Sequence, residues 1–330
     1  MLLLQFNNVA ATDPQVALNL LRLCGSFCRL SYLARSTPPD LVLDAFKLFD
    51  DDIHHCFMDC IGFATSDEAW CQAQLGLNSG GLGLCSLSLH SSSAYIASVC
   101  SSSVVDSEDI HLTNAIDHFN SHLSPIEKLS VNSIISSPVR QKLLSSKVND
   151  HCFQNLFDQS SPAIKARLLS VSAPHATSWL SVIPCTSQGL HLDPIEFRVA
   201  VKWWLGLDTS QGSQFAFRPA RSLDPVGHYA LTCKCGAEAG ATFGAVLEAT
   251  ESRKHQANDE KCSALGWVST PLAVDSYGAW SKEASLFFAQ VAAWLAIHKS
   301  LPKSQASFDL FSNLSICLIR ANARAILRRV

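Results

Sequence analysis

Charged residues are scarce in this 330-residue chain, and neither sign is in large excess. Asp, Glu, Lys and Arg make up 16% of the residues, the formal net charge is −3, and the isoelectric point lies near 6.4. This balance gives no bulk attraction to polyanions, so any contact with nucleic acid has to come from a local basic face. With 48% hydrophobic residues, the composition is globular and excludes a disordered chain.

A basic leader and a long apolar run are both missing from the first residues. Met1 to Asn7 contain no Lys or Arg, and their apolar run is too short for export or a membrane span. The 13 cysteines are odd in number and belong to a large chain, unlike the disulfide framework of a small secreted domain. We therefore expect an intracellular protein, nuclear or cytoplasmic, not secreted and without a membrane partner.

Motifs of the common nucleotide-binding and nucleophilic enzymes are also absent. The sequence has no Walker loop, nucleophile elbow or dinucleotide-binding loop, and Gly80-Gly81-Leu82-Gly83 lacks the preceding strand that a phosphate loop needs. Phe49-Asp50-Asp51-Asp52 fits the aromatic-x-Asp-Asp pattern of polymerases. It lies on a predicted helix, however, and we interpret this acidic run as a solvated helix surface.

Helical periodicity is present over most of the sequence. Apolar spacing predicts one helix from Asp13 to about residue 34, with Asp13 as its N-cap and a proline at the first helical position. Similar patterns continue to about residue 169, and the stretch near 215–275 is irregular or β-like. We expect a mainly α protein with a helical bundle in residues 1–172 and a second domain in residues 173–330.

Two amphipathic helices close the sequence. They run from about 277 to 299 and from about 307 to 329, and the short connection between them predicts an antiparallel helical hairpin. The residues expected to face one another at buried positions are Phe287, Val291 and Leu295 on the first helix and Leu310, Leu314 and Leu318 on the second. Leu314→Ala should cost about 2–5 kcal/mol if that side chain is fully buried.

Seven short strings resemble, in order, the region downstream of the reverse-transcriptase domain in non-LTR retrotransposon proteins. Each string alone carries little weight, but together they extend across nearly the whole chain. They are Leu20–Cys28, Ala34–Pro39, Ser79–Leu84, Ser172–Ala176, Trp203–Leu207, Leu223–His228 and Arg320–Arg329.

The resemblance implies a helical thumb and connector, then a Cys/His knuckle, then an endonuclease in which carboxylates bind magnesium and a Lys activates water. The chain departs from that pattern in three places. It has no polymerase palm, its knuckle lacks the first cysteine pair, and the carboxylate strands of the nuclease are missing between residue 235 and residue 251. We therefore expect residues 173–330 to be a degenerate knuckle and a truncated endonuclease-like region without catalytic activity.

The remaining metal candidates form two sets. His228, Cys233, Cys235 and Cys262 are the best remaining zinc ligands, although a structural zinc needs a complete set of four. The catalytic candidates of a magnesium-dependent nuclease are Lys254, which matches a Lys of the family, and the acids Glu251, Glu248 or Asp259, whose oxygens would bind the metal. At helical spacing, Glu248, Glu251 and Lys254 also fit a surface ion-pair ladder.

A basic stripe marks the last helix. Arg320, Arg324 and Arg328 recur every four residues and Arg329 adjoins them, which suits the phosphates of RNA or DNA and equally an ordinary solubilising face. On this interpretation Arg324→Ala barely alters stability. Trp203 and Trp204 are able to stack on bases, but neighbours on a helix point about 100° apart, so we expect one in the core and the other partly exposed.

Three functions stay open at this point. The first is a catalytically inactive retrotransposon-derived fragment with residual nucleic-acid binding, the second a degenerate metal-dependent endonuclease, and the third an inert structural remnant. Loss of a nuclease core would also leave apolar helix faces uncovered, which favours self-association.

Overall fold

A computed structural model of the chain describes residues 2–102, 108–136, 139–209 and 244–328. The chain divides into two compact units, Met1–Gln159 and Ser160–Val330. The sequence placed this boundary between residues 172 and 173. In the structure the helix Pro162–Val171 belongs to the second unit, where Arg167 of that helix donates a hydrogen bond to the carbonyl oxygen of Trp204.

All regular secondary structure in the described residues of the N-terminal unit is helical. Its helices are Leu2–Thr12 (α1), Pro14–Leu20 (α2), Phe27–Ser36 (α3), Pro39–Ile61 (α4), Asp67–Gln74 (α5), Leu87–Cys100 (α6), Ile110–Ser121 (α7), Val131–Ser136 (α8) and Gln141–Gln159 (α9).

Helix α6 lies at the centre of this unit, since α3, α4, α7 and α9 all pack against it. Its middle segment Ser91–Ala94 is buried, and these small side chains let the surrounding helices approach closely. Larger apolar residues fill the space on either side, among them Ile96, Leu112, Phe119 and Val148. The serine-rich composition of α6 is therefore a property of a core helix.

The single helix predicted from Asp13 to about residue 34 is interrupted. Asp13 caps α2 as expected, because its carboxylate accepts the N–H of Val16 at 3.0 Å. A wide π turn at Leu21–Gly25 follows, Ser26 leaves helical geometry, and α3 begins at Phe27. Ser26 is buried, and its hydroxyl donates a hydrogen bond to the carbonyl oxygen of Arg22. Such side-chain bonds to the backbone compete with regular helix geometry, and apolar spacing alone does not reveal them.

Asp50 connects α4 to the first turn of α6. Its carboxylate accepts the N–H groups of Leu87 at 2.6 Å and Ser88 at 3.0 Å, and the hydroxyl of Ser86 at 2.7 Å. A carboxylate at this position satisfies unpaired backbone donors and interacts favourably with the helix dipole. The prediction that the whole acidic run is solvated is therefore wrong for Asp50, whereas the two aspartates after it are exposed.

The glycine-rich loop after α5 folds back onto that helix. The N–H groups of Leu82 and Leu84 both donate to the carbonyl oxygen of Ala73, at 3.1 and 3.2 Å. A Cβ atom at Gly81 would stand 2.0 Å from the carbonyl oxygen of Leu75, so only glycine fits this close approach. Local packing explains the glycines of this loop.

The C-terminal unit contains Pro162–Val171 (α10), Ser178–Ser181 (α11), Pro194–Trp204 (α12), Ala245–Ala264 (α13), Lys282–His298 (α14) and Lys303–Leu327 (α15). Within the described residues, β-structure is limited to one isolated bridge between Val274 and Trp280. The prediction of a mainly α fold is confirmed. Helix α13 occupies residues 245–264 of the stretch 215–275 for which irregular or β-like structure was expected, and residues 215–243 lie outside the described residues.

Aromatic residues build the core of this unit. Trp203 stacks on Tyr277 with ring centroids 4.0 Å apart, and Trp204 meets Trp179 edge to face at 5.5 Å. Both Trp203 and Trp204 are fully buried, so the expectation that one would be partly exposed is wrong. Helix α15 packs against α12, and the ring of Tyr277 contacts both tryptophans, which leaves neither ring exposed for stacking on bases.

Helices α14 and α15 pack together as the predicted hairpin. The faces that meet, however, are not the ones predicted from the sequence. Phe288, not Phe287, meets Phe311 at a ring-centroid distance of 6.2 Å, and Phe287 is 36% exposed. Leu310, Leu314 and Leu318, like Val291 and Leu295, are only half-buried.

The reason is that α15 also packs against α11 and α12. Its most buried face, with Phe311, Ile316 and Ile319, is the one enclosed by several elements. The hydroxyl of Ser315 on that face accepts the N–H of Trp179 at 3.2 Å.

Among the described residues, α15 is the one helix whose length and apolar composition would be sufficient to cross a membrane. Of its most apolar window, 44% is buried inside the protein. A core helix of a soluble protein has the same properties, so this feature does not distinguish the two.

Candidate functional site

The first two arginines of the basic stripe are tied to neighbouring elements of the C-terminal unit. Arg320 donates to the carbonyl oxygens of Gly189 at 2.8 Å and His191 at 3.0 Å, and its Nε lies 3.9 Å from a carboxylate oxygen of Glu196. Arg324 donates to the other carboxylate oxygen of Glu196. Glu196, in the first turn of α12, is buried, so these two arginines neutralise a buried charge.

The basic stripe is therefore only partly available to a ligand. The Arg324 side chain remains 57% exposed despite its bond to Glu196, and Arg328 is exposed at the end of α15. Arg329 lies outside the described residues. A phosphate would meet the far side of the Arg324 guanidinium and the whole of Arg328.

Charge is distributed unevenly between the two units. Residues 1–159 carry 8 Lys and Arg against 16 Asp and Glu, a formal net charge of −8. Residues 160–330 carry 17 basic against 12 acidic residues, a formal net charge of +5. The near-neutral whole chain conceals this polarity, and the basic stripe belongs to the positive unit.

The acidic magnesium candidates line one open cleft of about 570 Å³ between α13 and the start of α14. Glu248, Glu251 and Asp259 contribute from α13, and Glu283 contributes from α14. Glu260 of α13 also lines the cleft, so four carboxylates from one helix meet a fifth from the next helix.

His255 lies between two of these carboxylates. Its Nδ1 is 2.9 Å from Asp259 and its Nε2 is 2.7 Å from Glu283. These hydrogen bonds, first to Glu283 and then to Asp259, raise the pKa of His255 above its usual value. The imidazole joins α13 to α14 and occupies acceptor atoms that a metal ion would need.

Two other candidates also have structural partners. Glu251 accepts the N–H of Glu283 at 3.0 Å and so satisfies a backbone donor in the first turn of α14. Lys254 donates to the carbonyl oxygen of Leu272, and it does not line the cleft. The acidic candidates therefore line the cleft, but Lys254 does not. In a nuclease site of the family, by contrast, the Lys lies close enough to activate the attacking water.

Neither metal is supported by the described residues. No group of three or more His, Cys, Asp or Glu side chains there has the geometry to hold a metal ion. Cys262 is a free, half-buried thiol on α13, while His228, Cys233 and Cys235 lie outside the described residues. The carboxylates of the cleft do not fit magnesium in this arrangement, because His255 binds two of them.

Sequence reasoning missed the roles of His255, Glu283 and Glu196. The spacing of His255 and Asp259 by four residues is a local signal that was available. The sequence contains no local signal for the roles of Glu283 and Glu196, because their partners lie on other helices.

Comparisons with known proteins add no assignment. A scan against models of protein families found no match, and a search of curated proteins found no similar sequence. The function has to be argued from the geometry and charge of the chain itself.

Among the described residues of the C-terminal unit, α14 carries three exposed apolar side chains on one face. Leu286, Trp294 and Ile297 lie on one face of α14 with exposures of 58%, 58% and 79%. Single exposed apolar residues are ordinary on protein surfaces, but three on one helix face suit the expectation of self-association.

Proposed function

We propose that this chain is a catalytically inactive fragment derived from a non-LTR retrotransposon protein, and that its C-terminal unit binds RNA or DNA. The observation that carries the proposal is the charge polarity of the two units, −8 and +5. Binding to phosphates depends on local positive charge.

The exposed contact points are Arg324 and Arg328 on α15. Arg324 presents the guanidinium edge that faces away from Glu196, and the end of a helix favours basic side chains. Because contacts to phosphates carry little sequence information, we expect binding with weak preference among sequences.

The test is binding of the full chain to labelled single-stranded RNA, double-stranded RNA and double-stranded DNA at several salt concentrations. We expect affinity to fall steeply with salt, with a logarithmic slope of about 0.9 for each phosphate contacted on B-DNA. No binding at low salt would exclude this function and leave the inert remnant.

The informative variant combines Arg328→Gln with Arg329→Gln, which removes two charges and keeps the bond between Arg324 and Glu196. It should weaken binding and reduce the salt slope by about 2. The matched control combines Lys299→Gln with Lys303→Gln, since both lysines are exposed on the same hairpin away from the stripe. An equal loss in both variants would point to bulk charge instead of the stripe.

A metal-dependent endonuclease is the second candidate, because the cleft of α13 and α14 gathers carboxylates, although His255 binds those of Asp259 and Glu283. Incubation of supercoiled plasmid with magnesium or manganese tests it. Nicking that disappears in Glu251→Gln and persists in Glu127→Gln, an exposed acid of the other unit, would support it. We expect no nicking by the wild type.

A further inference from the structure

Three histidines meet inside the N-terminal unit, and we call them the histidine cluster: His90, His118 and His122. His90 lies on α6 and is 3% exposed, whereas His118 lies on α7 and His122 directly follows that helix. The rings of His118 and His122 are 4.9 Å apart and nearly perpendicular. The cluster therefore sits at the junction of the central helix with α7.

The cluster has few polar partners. Nδ1 of His90 and Nε2 of His122 are buried and form no hydrogen bond with the residues that the structure describes. His118 bonds the hydroxyl of Ser92 at 2.8 Å, and the side chain of Asn149 on α9 bonds His90. A proton added to such a ring places a cation in a desolvated site and can create a donor without an acceptor, which is costly.

The surrounding elements offer the cluster little compensation for positive charge. Helix α3 presents the ring of Phe27, edge to face with His90 at 6.2 Å. Helix α4 presents Asp50, which favours a proton on His90, and Lys47, which opposes one on His118. Helix α9 presents His151, whose charge opposes one on His122. The carboxylate of Asp50 already accepts several hydrogen bonds from the start of α6.

Burial lowers the pKa of His90 to about 4, and burial with like charge lowers the pKa values of His118 and His122. In the unfolded chain each imidazole titrates near its usual value of about 6.5. The unfolded state therefore binds more protons below that pH, and stability is lost as the pH falls toward the folded-state values.

The C-terminal unit contains groups of the opposite kind. The pKa of His255 is raised by its carboxylate partners, and burial raises the pKa of Asp275. Both bind a proton more tightly when folded, so acidification favours their folded state. His175, whose pKa is lowered by burial, partly offsets this gain.

We propose that the histidine cluster makes the N-terminal unit an acid-sensitive module, whose helices α6, α7 and α9 separate at mildly acidic pH while the C-terminal unit stays folded. The acid sensitivity is confined to the N-terminal unit, because the three rings lie where these helices pack. It is independent of the proposed nucleic-acid binding.

Amide hydrogen exchange of the full chain at about pH 7.5 and about pH 5, corrected for intrinsic rates, tests the proposal. Peptides of α6, α7 and α9 should exchange about tenfold or more faster at the lower pH, and peptides of α14 and α15 should not. Equal changes in both units, or no change in α6, would overturn it.

The matched variants are His90→Gln and His55→Gln. Glutamine cannot take a proton, and His55 is an exposed histidine on α4. His90→Gln should reduce the acid response, while His55→Gln should behave as the wild type does. A full acid response in His90→Gln contradicts the proposal.

Titration of the wild-type histidines by NMR decides the matter if His90→Gln does not fold. As long as the N-terminal unit stays folded, the ring signal of His90 should remain at its neutral-form position below about pH 6.5. A midpoint near about 6.5 in the folded unit would overturn the proposal.

Discussion

Nε of Arg324 lies 2.5 Å from Oε1 of Glu196, although 128 positions separate the two residues in sequence. The carboxylate is buried and the guanidinium is more than half exposed, so the ion pair connects the core of the C-terminal unit to its surface. An arginine that sequence periodicity assigns to a solvated stripe thus has a structural partner.

Arg324→Ala should destabilise the C-terminal unit by about 1–2 kcal/mol, because it leaves a buried carboxylate with only the more distant Arg320. Chemical denaturation measures the change. The double variant with Glu196→Gln should recover part of the loss, since it removes the unpaired charge. Unchanged stability of Arg324→Ala would restore the view from sequence alone, in which this side chain contributes nothing to the fold.

Asp50→Ala should destabilise the N-terminal unit by about 2 kcal/mol, since it removes the acceptor of two backbone N–H groups at the start of α6. Asp51→Ala, an exposed neighbour in the same acidic run, is the matched control and should cost less than about 0.5 kcal/mol. Equal effects in the two variants would mean that Asp50 has no special role.

Ile319→Ala should cost about 2–4 kcal/mol, because Ile319 is 1% exposed on the enclosed face of α15. Leu314→Ala, at a half-buried position, should cost about 1–2 kcal/mol, which is less than full burial would give. Thermal or denaturant unfolding compares them. A larger cost at Leu314 than at Ile319 would show that the hairpin contact dominates the packing of α15.

Gly81→Ala should prevent the loop after α5 from closing, because the new Cβ would collide with the backbone of Leu75. We expect a loss of about 3 kcal/mol or more, visible as a lower unfolding midpoint. Gly76→Ala is the control in the same loop, since a Cβ there meets nothing within 4 Å. Tolerance of alanine at both positions would indicate that the loop adopts another path.

The attachment of α13 to α14 should weaken as the pH rises. The folded-state pKa of His255 is raised, so its contribution is fully present below the unfolded value of about 6.5 and is lost as the pH rises through the folded value. Exchange of α13 amides, corrected for intrinsic rates, should accelerate between about pH 6 and pH 9. His255→Gln should show fast exchange of α13 at both pH values, and slow exchange there would contradict this role.

Local features were predicted well from the sequence, including the cap at Asp13 and the hairpin of the last two helices. The break at Ser26 was missed, because the apolar repeat continues across it and does not show the buried hydroxyl that bonds the carbonyl oxygen of Arg22. The acidic candidates Glu248, Glu251 and Asp259 do lie together in a cleft. The bond of His255 to Glu283 and the bond of Lys254 to Leu272 depend on groups from beyond α13, and local spacing does not show them.

The sequence by itself determined the helical class of this protein, because helix propensity, caps and apolar spacing act within a few residues. Only the tertiary structure decided which face of α15 is enclosed, which arginines are neutralised and which histidines are buried. Those properties depend on partners such as Glu196 for Arg324 and Glu283 for His255, at separations of 128 and 28 positions. Burial and pairing are set by the packing of distant helices, and no local pattern encodes them.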